Sequence, residues 1–176
     1  RELGPKSVVV GDRVSIVGDV TGDEGSLARI VSVNERRNTL SRTVDDAAQV
    51  ERTIVANVDQ LVIVVAALNP EPRRGLIDRF LVSAFTEGIT PKLVVTKTDL
   101  GEVPEFLAEY AKLDVEILHT AIKGDSREKD LEALHKMLSG KISVLVGHSG
   151  VGKSTLINAL VPAADRLTGD VNESTG

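Results

Sequence analysis

Lys141–Leu160 reads KISVLVGHSGVGKSTLINAL, and Gly147 to Ser154 within it, GHSGVGKS, satisfies G-x-x-x-x-G-K-[ST] at every fixed position. An apolar run, Ile142 to Val146, leads into the glycines, and Thr155 to Leu160 follows with helical spacing. Strand, glycine loop and helix in that order are what a phosphate site requires. Gly147, Gly150 and Gly152 let the backbone curl so that successive N–H groups face a concavity, and the helix N-terminus adds partial positive charge. The candidate phosphate site is therefore Gly147, His148, Ser149, Gly150, Val151, Gly152, Lys153, Ser154 and Thr155. Lys153 is expected to reach the β- and γ-phosphates and Ser154 to hold Mg²⁺; these two are the candidate catalytic residues. His148 is expected to turn its ring away from a bound nucleotide.

The 176 residues suffice for one ordinary domain and a smaller one. With 41% hydrophobic and 27% charged residues, the composition is that of a globular protein. No cysteine is present, which excludes disulfides and thiolate metal sites within this stretch and is compatible with a reducing cytoplasm. No apolar run approaches the roughly 20 residues that span a bilayer, and RELGPKSVVV has no secretory pattern, so no membrane role is expected. A net charge of −5 makes any contact with nucleic acid local.

Residues 1–58 read as a β domain. Val8–Val10, Arg13–Val17, Leu27–Asn34 and Arg52–Val55 are rich in Val and Ile, and Gly11-Asp12, Gly18-Asp19 and Gly22-Asp23 supply turns. A small barrel or sandwich is expected, incomplete at its N-terminal side. The polar stretch Thr43–Thr53 reads as an exposed loop. Arg29, Arg36, Arg37 and Arg42 cluster around a hairpin, as either a solvated face or a contact to a phosphate backbone. No aromatic residue lies in this half, which disfavours base stacking and leaves structured RNA, gripped by shape and phosphate, as the nucleic-acid option.

Residues 59–176 read as α/β. Leu61–Ala67 is continuously apolar, as in a strand buried on both faces. A helical pattern over Gly75–Thr86, a strand at Leu93–Val95, a helix opened by Pro104, a strand at Val115–Leu118 and a helix through Leu131, Leu134 and Leu138 follow. Strands alternating with helices imply a parallel sheet with helices on both faces, and ligands in such sheets sit at the strands' carboxyl ends. Directly after Leu93-Val94-Val95 stands Thr96-Lys97-Thr98-Asp99. A carboxylate at Asp99 can accept both the ring N1–H and the exocyclic amine of guanine, a pair adenine does not offer, while the stem of Lys97 can lie over the purine.

Here the order of the motifs matters. GTPases ordinarily carry the phosphate loop first and [NT]KxD later, and this chain reverses them. With VGDRV (Val10–Val14), VANVDQLVIVVA (Val55–Ala66), LIDRFL (Leu76–Leu81), the TKTD element, the phosphate loop and TGDVNESTG (Thr168–Gly176), the chain resembles the circularly permuted ribosome-assembly GTPases of the RsgA (YjeQ/YloQ-type) family over Gly11–Gly176. The resemblance implies an α/β P-loop fold, a circularly permuted G domain, preceded by a small all-β OB-fold-like domain. It implies hydrolysis of GTP to GDP with Mg²⁺, and a cytoplasmic protein, expected as a monomer, on the small (30S) ribosomal subunit and its 16S rRNA. Thr96, Lys97 and Asp99 take the guanine-binding role, and Thr120 and Ala121 the place of a backbone contact to the guanine 6-oxygen. The family also implies a switch I threonine, a D-x-x-G switch II and a zinc domain beyond these segments, and no D-x-x-G or cysteine follows Ser154 here. Thr96 stands where many GTPases have Asn, so its bracing of the phosphate loop is open. Two other readings use the same residues: a P-loop ATPase or kinase in which Thr96–Asp99 is an ordinary loop, and an RNA-binding scaffold with an inert G domain.

Overall fold

A computed structural model describes residues 8–45 and 50–164. Thr168–Gly176, one of the segments that carry the resemblance, lies outside them. The chain divides into two compact units, Arg1–Val58 and Asp59–Gly176.

The first unit is all β. Strand β1 (Val14–Gly18) pairs antiparallel with β2 (Ala28–Val33), and a bulge between Ser15 and Ile16 shifts the register. Strand β3 (Thr39–Asp45) pairs antiparallel with β4 (Val50–Ala56). Backbone pairing of Arg42 with Arg52 and of Thr43 with Glu51 overturns the loop expected at Thr43–Thr53 at its two ends, where Thr43–Asp45 and Val50–Thr53 are strand; residues 46–49 lie outside the described residues. The first expected strand, Val8–Val10, shrinks to an isolated bridge between Val10 and Val55. Side chains replace missing ladder bonds near the end of the unit. The buried Asn38 donates to the Val58 carbonyl (2.8 Å) and accepts from the Val58 N–H (2.9 Å), as a neighbouring strand would.

The second unit holds a four-stranded parallel sheet in the order β7-β6-β5-β8. Strand β5 (Gln60–Ala66) is buried along its whole length. Period-two alternation sends Val62, Val64 and Ala66 to a core shared with Leu134, Val151 and Leu156, and Leu61, Ile63 and Val65 to the opposite face. Helix α1 (Arg74–Thr86) buries Ile77, Leu81 and Ala84 and packs on β5 and β6 (Thr90–Thr96). The segment opened by Pro104 is a 3-10 helix, Glu105–Leu113, ended by Asp114 in the left-handed region. Strand β7 (Glu116–His119), helix α2 (Arg127–Leu138), strand β8 (Ser143–Val146) and helix α3 (Lys153–Leu160) follow.

Strand order locates the site. The chain runs outward through β5, β6 and β7, and then α2 returns it to the far side of β5, where β8 pairs. The reversal falls between β5 and β8, the crevice where such sheets take ligands beyond the strands' carboxyl ends. The glycine loop begins there. The fold class read from the sequence, a P-loop α/β sheet preceded by a small all-β part, is the one the chain adopts.

Candidate functional site

The loop between β8 and α3 has the backbone its glycines permit. Gly147, Gly150 and Gly152 have φ of 145°, 78° and 97°. A Cβ on Gly147 would overlap the Val64 carbonyl oxygen, so this glycine also lets β8 lie close against β5. The Lys153 ammonium donates to the carbonyls of Gly147 (2.9 Å) and His148 (2.6 Å), folding back over the loop from the first turn of α3. Burial pushes its pKa down. Ser154 and Thr155 are half-buried in the same turn. The His148 ring nitrogen Nδ1 lies 2.9 Å from the Ser149 carbonyl, and the ring lines a groove with Pro70, Arg73, Leu76 and Val151.

Thr96, at the end of β6, reaches this loop directly. Its buried hydroxyl lies 2.5 Å from the Val151 carbonyl and 3.1 Å from that of Val65. Thr96 thus makes a bracing bond despite standing where Asn is common. Lys97 sits in the left-handed region at φ 57°, a strained conformation for a long side chain, and turns the chain out of β6. Its ammonium donates to the Asn69 carbonyl, and partial burial, together with the nearby positive charge of Lys123, pushes its pKa down. Asp99 is exposed on the loop that follows.

The loop after β7 lies against Asp99. A Cβ added to Gly124 would stand 3.1 Å from the Cβ of Ala121 and 3.3 Å from that of Asp99. Thr120, fully buried, holds the carboxyl end of β6 through its N–H to the Val95 carbonyl (2.8 Å) and accepts from the Thr98 N–H (3.3 Å). The Ala121 N–H, however, donates to Asp130 Oδ2 (2.7 Å). Sequence reasoning passed over Asp130 and Lys123. Lys123 was visible as a cation three residues after Thr120, while nothing in the sequence flags Asp130 beyond an acid near a helix start.

The four arginines of the basic cluster have different surroundings. Arg36 is bound to Asp12, Nε to Oδ1 at 2.7 Å and Nη2 to Oδ2 at 2.9 Å. Arg29 is exposed on β2 opposite Val17. The Arg37 N–H donates to Asn57 Oδ1 (2.9 Å), and the side chain of Arg42 lies outside the described residues. No group of three or more His, Cys, Asp or Glu side chains among the described residues is arranged for a metal. The chain has no cysteine, so the zinc implied by the resemblance has no ligand set here. Among the described residues no helix is long and apolar enough to cross a membrane.

Comparison with known proteins bears on these features together. Residues 33–176 match the sequence model of the RsgA GTPase family. Small ribosomal subunit biogenesis GTPase RsgA of Azotobacter vinelandii is 39% identical over 176 residues, covering 97% of this chain and 48% of that protein. RsgA 1 of Vibrio vulnificus is 36% identical over 179 residues, with 98% and 49% covered. The chain spans about half the length of these relatives. Among solved structures, YjeQ from Thermotoga maritima superimposes with a TM-score of 0.64 at 34% identity, covering 88% of this chain and 51% of the other. YloQ, described as a circularly permuted GTPase, gives 0.59 at 30% identity, with 89% and 51% covered. The reversed motif order is thus a shared topology, and the chain belongs to the RsgA GTPase family.

Proposed function

We propose that this chain is the nucleotide-binding part of a GTPase, with residues 1–58 as its OB-fold-like domain and residues 59–176 as its permuted GTPase domain. The observation that carries this reading is the Thr96–Val151 bond, which joins the TKTD loop to the glycine loop across the carboxyl end of β5, between β6 and β8. A nucleotide laid across that crevice meets Asp99 with its base and the loop amides with its phosphates.

The residues present fit a triphosphate: three glycines at positive φ in a loop of backbone N–H groups, a lysine ammonium held by two neutral carbonyls, and a hydroxyl in the first helical turn. Lys153 would exchange carbonyl partners for β- and γ-phosphate oxygens, a charge-assisted contact that raises its pKa again. The Ser154 hydroxyl would hold Mg²⁺ together with phosphate oxygens, and the ion would supply charge neutralisation there. Water then attacks the γ-phosphoryl group in line with the leaving oxygen, while Lys153 and the loop amides stabilise the charge on the equatorial oxygens.

The relatives are named for biogenesis of the small ribosomal subunit. Those names support action of the whole protein on the small ribosomal subunit, and we extend this to a cytoplasmic monomer that contacts the 30S subunit through its 16S rRNA. Arg29, Arg36, Arg37 and Arg42 are the candidate phosphate contacts, Arg36 also being paired with Asp12. Nucleotide competition on the full-length protein tests the base assignment: GTP should displace labelled GDP far better than ATP does, and Asp99→Asn should move preference towards xanthine nucleotides. Equal displacement by ATP would sink it. Turnover, measured with and without small subunits, should be stimulated by the subunit and disappear in Lys153→Ala.

A further inference from the structure

Asp130 is a buried carboxylate that none of the steps above uses. It lies in the first turn of α2, 9% exposed, and its Oδ2 accepts two hydrogen bonds of 2.7 Å, from the Ala121 N–H and from the Ser126 hydroxyl. Ala121 opens a tight turn closed by the Gly124 N–H on the Ala121 carbonyl (2.8 Å). That turn abuts Asp99 at Gly124, so the carboxylate grips one end of a backbone segment whose other end touches the base loop. Among the described residues, the N–H groups of Ile122 and Lys123 within the turn make no hydrogen bond to protein.

We propose that Asp130 is a positioning residue for base specificity: by engaging the Ala121 N–H it sets the turn so that the Ile122 and Lys123 amides donate to the 6-oxo group of a purine whose N1 edge is held by Asp99. The proposal rests on the guanine-nucleotide reading above. It replaces Ala121 as the amide donor, because a neutral oxo group competes poorly with a carboxylate for the same N–H.

The test uses full-length protein and two diphosphates, GDP and 6-thio-GDP. Both keep the N1–H and the 2-amino group that Asp99 reads, and they differ in acceptor strength at position 6. Asp130→Ala should weaken GDP binding about 10-fold and 6-thio-GDP binding less than about 3-fold, so that discrimination collapses. Asp130→Asn, which keeps an acceptor oxygen, should recover discrimination to within about 3-fold of wild type. Ser126→Ala, which frees the carboxylate to rotate, should reduce discrimination in the same direction and decides the matter if Asp130→Ala does not fold. Equal losses for the two nucleotides, a lowered melting temperature with unchanged discrimination, or tighter GDP binding in Asp130→Ala would overturn the proposal. If wild-type protein bound ADP as well as GDP, the guanine reading itself would fail, which is a separate result.

Discussion

The Thr96 hydroxyl lies 2.5 Å from the Val151 carbonyl, 55 residues away in sequence. Thr96 ends β6 and Val151 sits at the bend of the glycine loop, so a side chain one bond too short for the Asn common at this position still spans the gap. Both residues are buried, at 4% and 2% exposure. A hydrogen bond in such surroundings sets geometry more than its net energy suggests, because the acceptor has no water to turn to.

Thr96→Val keeps the shape and removes the donor. The Val151 carbonyl then stays buried without this partner, at a cost of about 1–3 kcal/mol. A lower unfolding midpoint and weaker binding of both GDP and isolated pyrophosphate are expected, since the defect lies in the phosphate loop. Thr96→Asn should retain stability better than Thr96→Val. Chemical denaturation and calorimetric titration measure the two effects, and unchanged pyrophosphate binding in Thr96→Val would remove the bracing role.

The loop glycines differ in what they tolerate. At Gly147 an added methyl overlaps the Val64 carbonyl, which is backbone and part of a sheet that does not yield. At Gly152 the nearest atom to such a methyl is Thr96 Oγ1 at 3.6 Å, ordinary contact, and only the φ of 97° opposes a side chain. Gly152→Ala should therefore cost about 1–2 kcal/mol of backbone strain. Gly147→Ala should cost more, either unfolding the second unit or opening β8 from β5. Parallel thermal melts of the two variants check the ranking, and equal destabilisation would contradict it.

What could be read from the residues follows how local each cause is. Strand β5 announces itself because burial on both faces demands an unbroken apolar run, and GHSGVGKS because each position answers a constraint within eight residues. Strand β3 does not: Thr39–Asp45 mixes Ser, Arg, Thr and Asp with two apolar residues, and its strand character comes from pairing with β4. Arg36 read as part of a basic cluster because its partner, Asp12, is 24 residues upstream and meets it only once the unit folds. Asp130 was hidden for another reason. Its partner is a backbone N–H, which leaves no mark in a sequence.

The Asp12–Arg36 pair predicts a pH dependence for the first unit. Asp12, with its side chain 1% exposed, accepts from Arg36 and from the Val9 N–H (2.8 Å). The Arg36 hydrogen bond, assisted by Val9 and opposed by burial, holds its carboxyl below the ordinary value of 3.8. The folded pKa is thus below the unfolded one, so the contribution to stability is complete above the unfolded value and fades as pH falls through the folded value. Asp12→Asn should lower stability at neutral pH and flatten this acid limb. Urea unfolding across the acid range measures it, and parallel curves for wild type and variant would rule it out.

Gln60 gives the last prediction. It begins β5, is 3% exposed, and its side-chain amide donates to the Met137 carbonyl (3.1 Å) and to Ser143 Oγ (2.9 Å). One side chain thus ties together the start of β5, the last turn of α2 and the first residue of β8, at the end of the sheet opposite the glycine loop. Gln60→Leu, similar in volume, removes the donor to two half-buried polar groups and should cost about 1 kcal/mol. Because the phosphate loop lies at the other end of β8, GDP affinity measured well below the melting temperature should change by less than about 3-fold. A loss of affinity without a loss of stability would mean that the register of β8 at this end governs the loop, and that the stabilising role assigned to Gln60 is wrong.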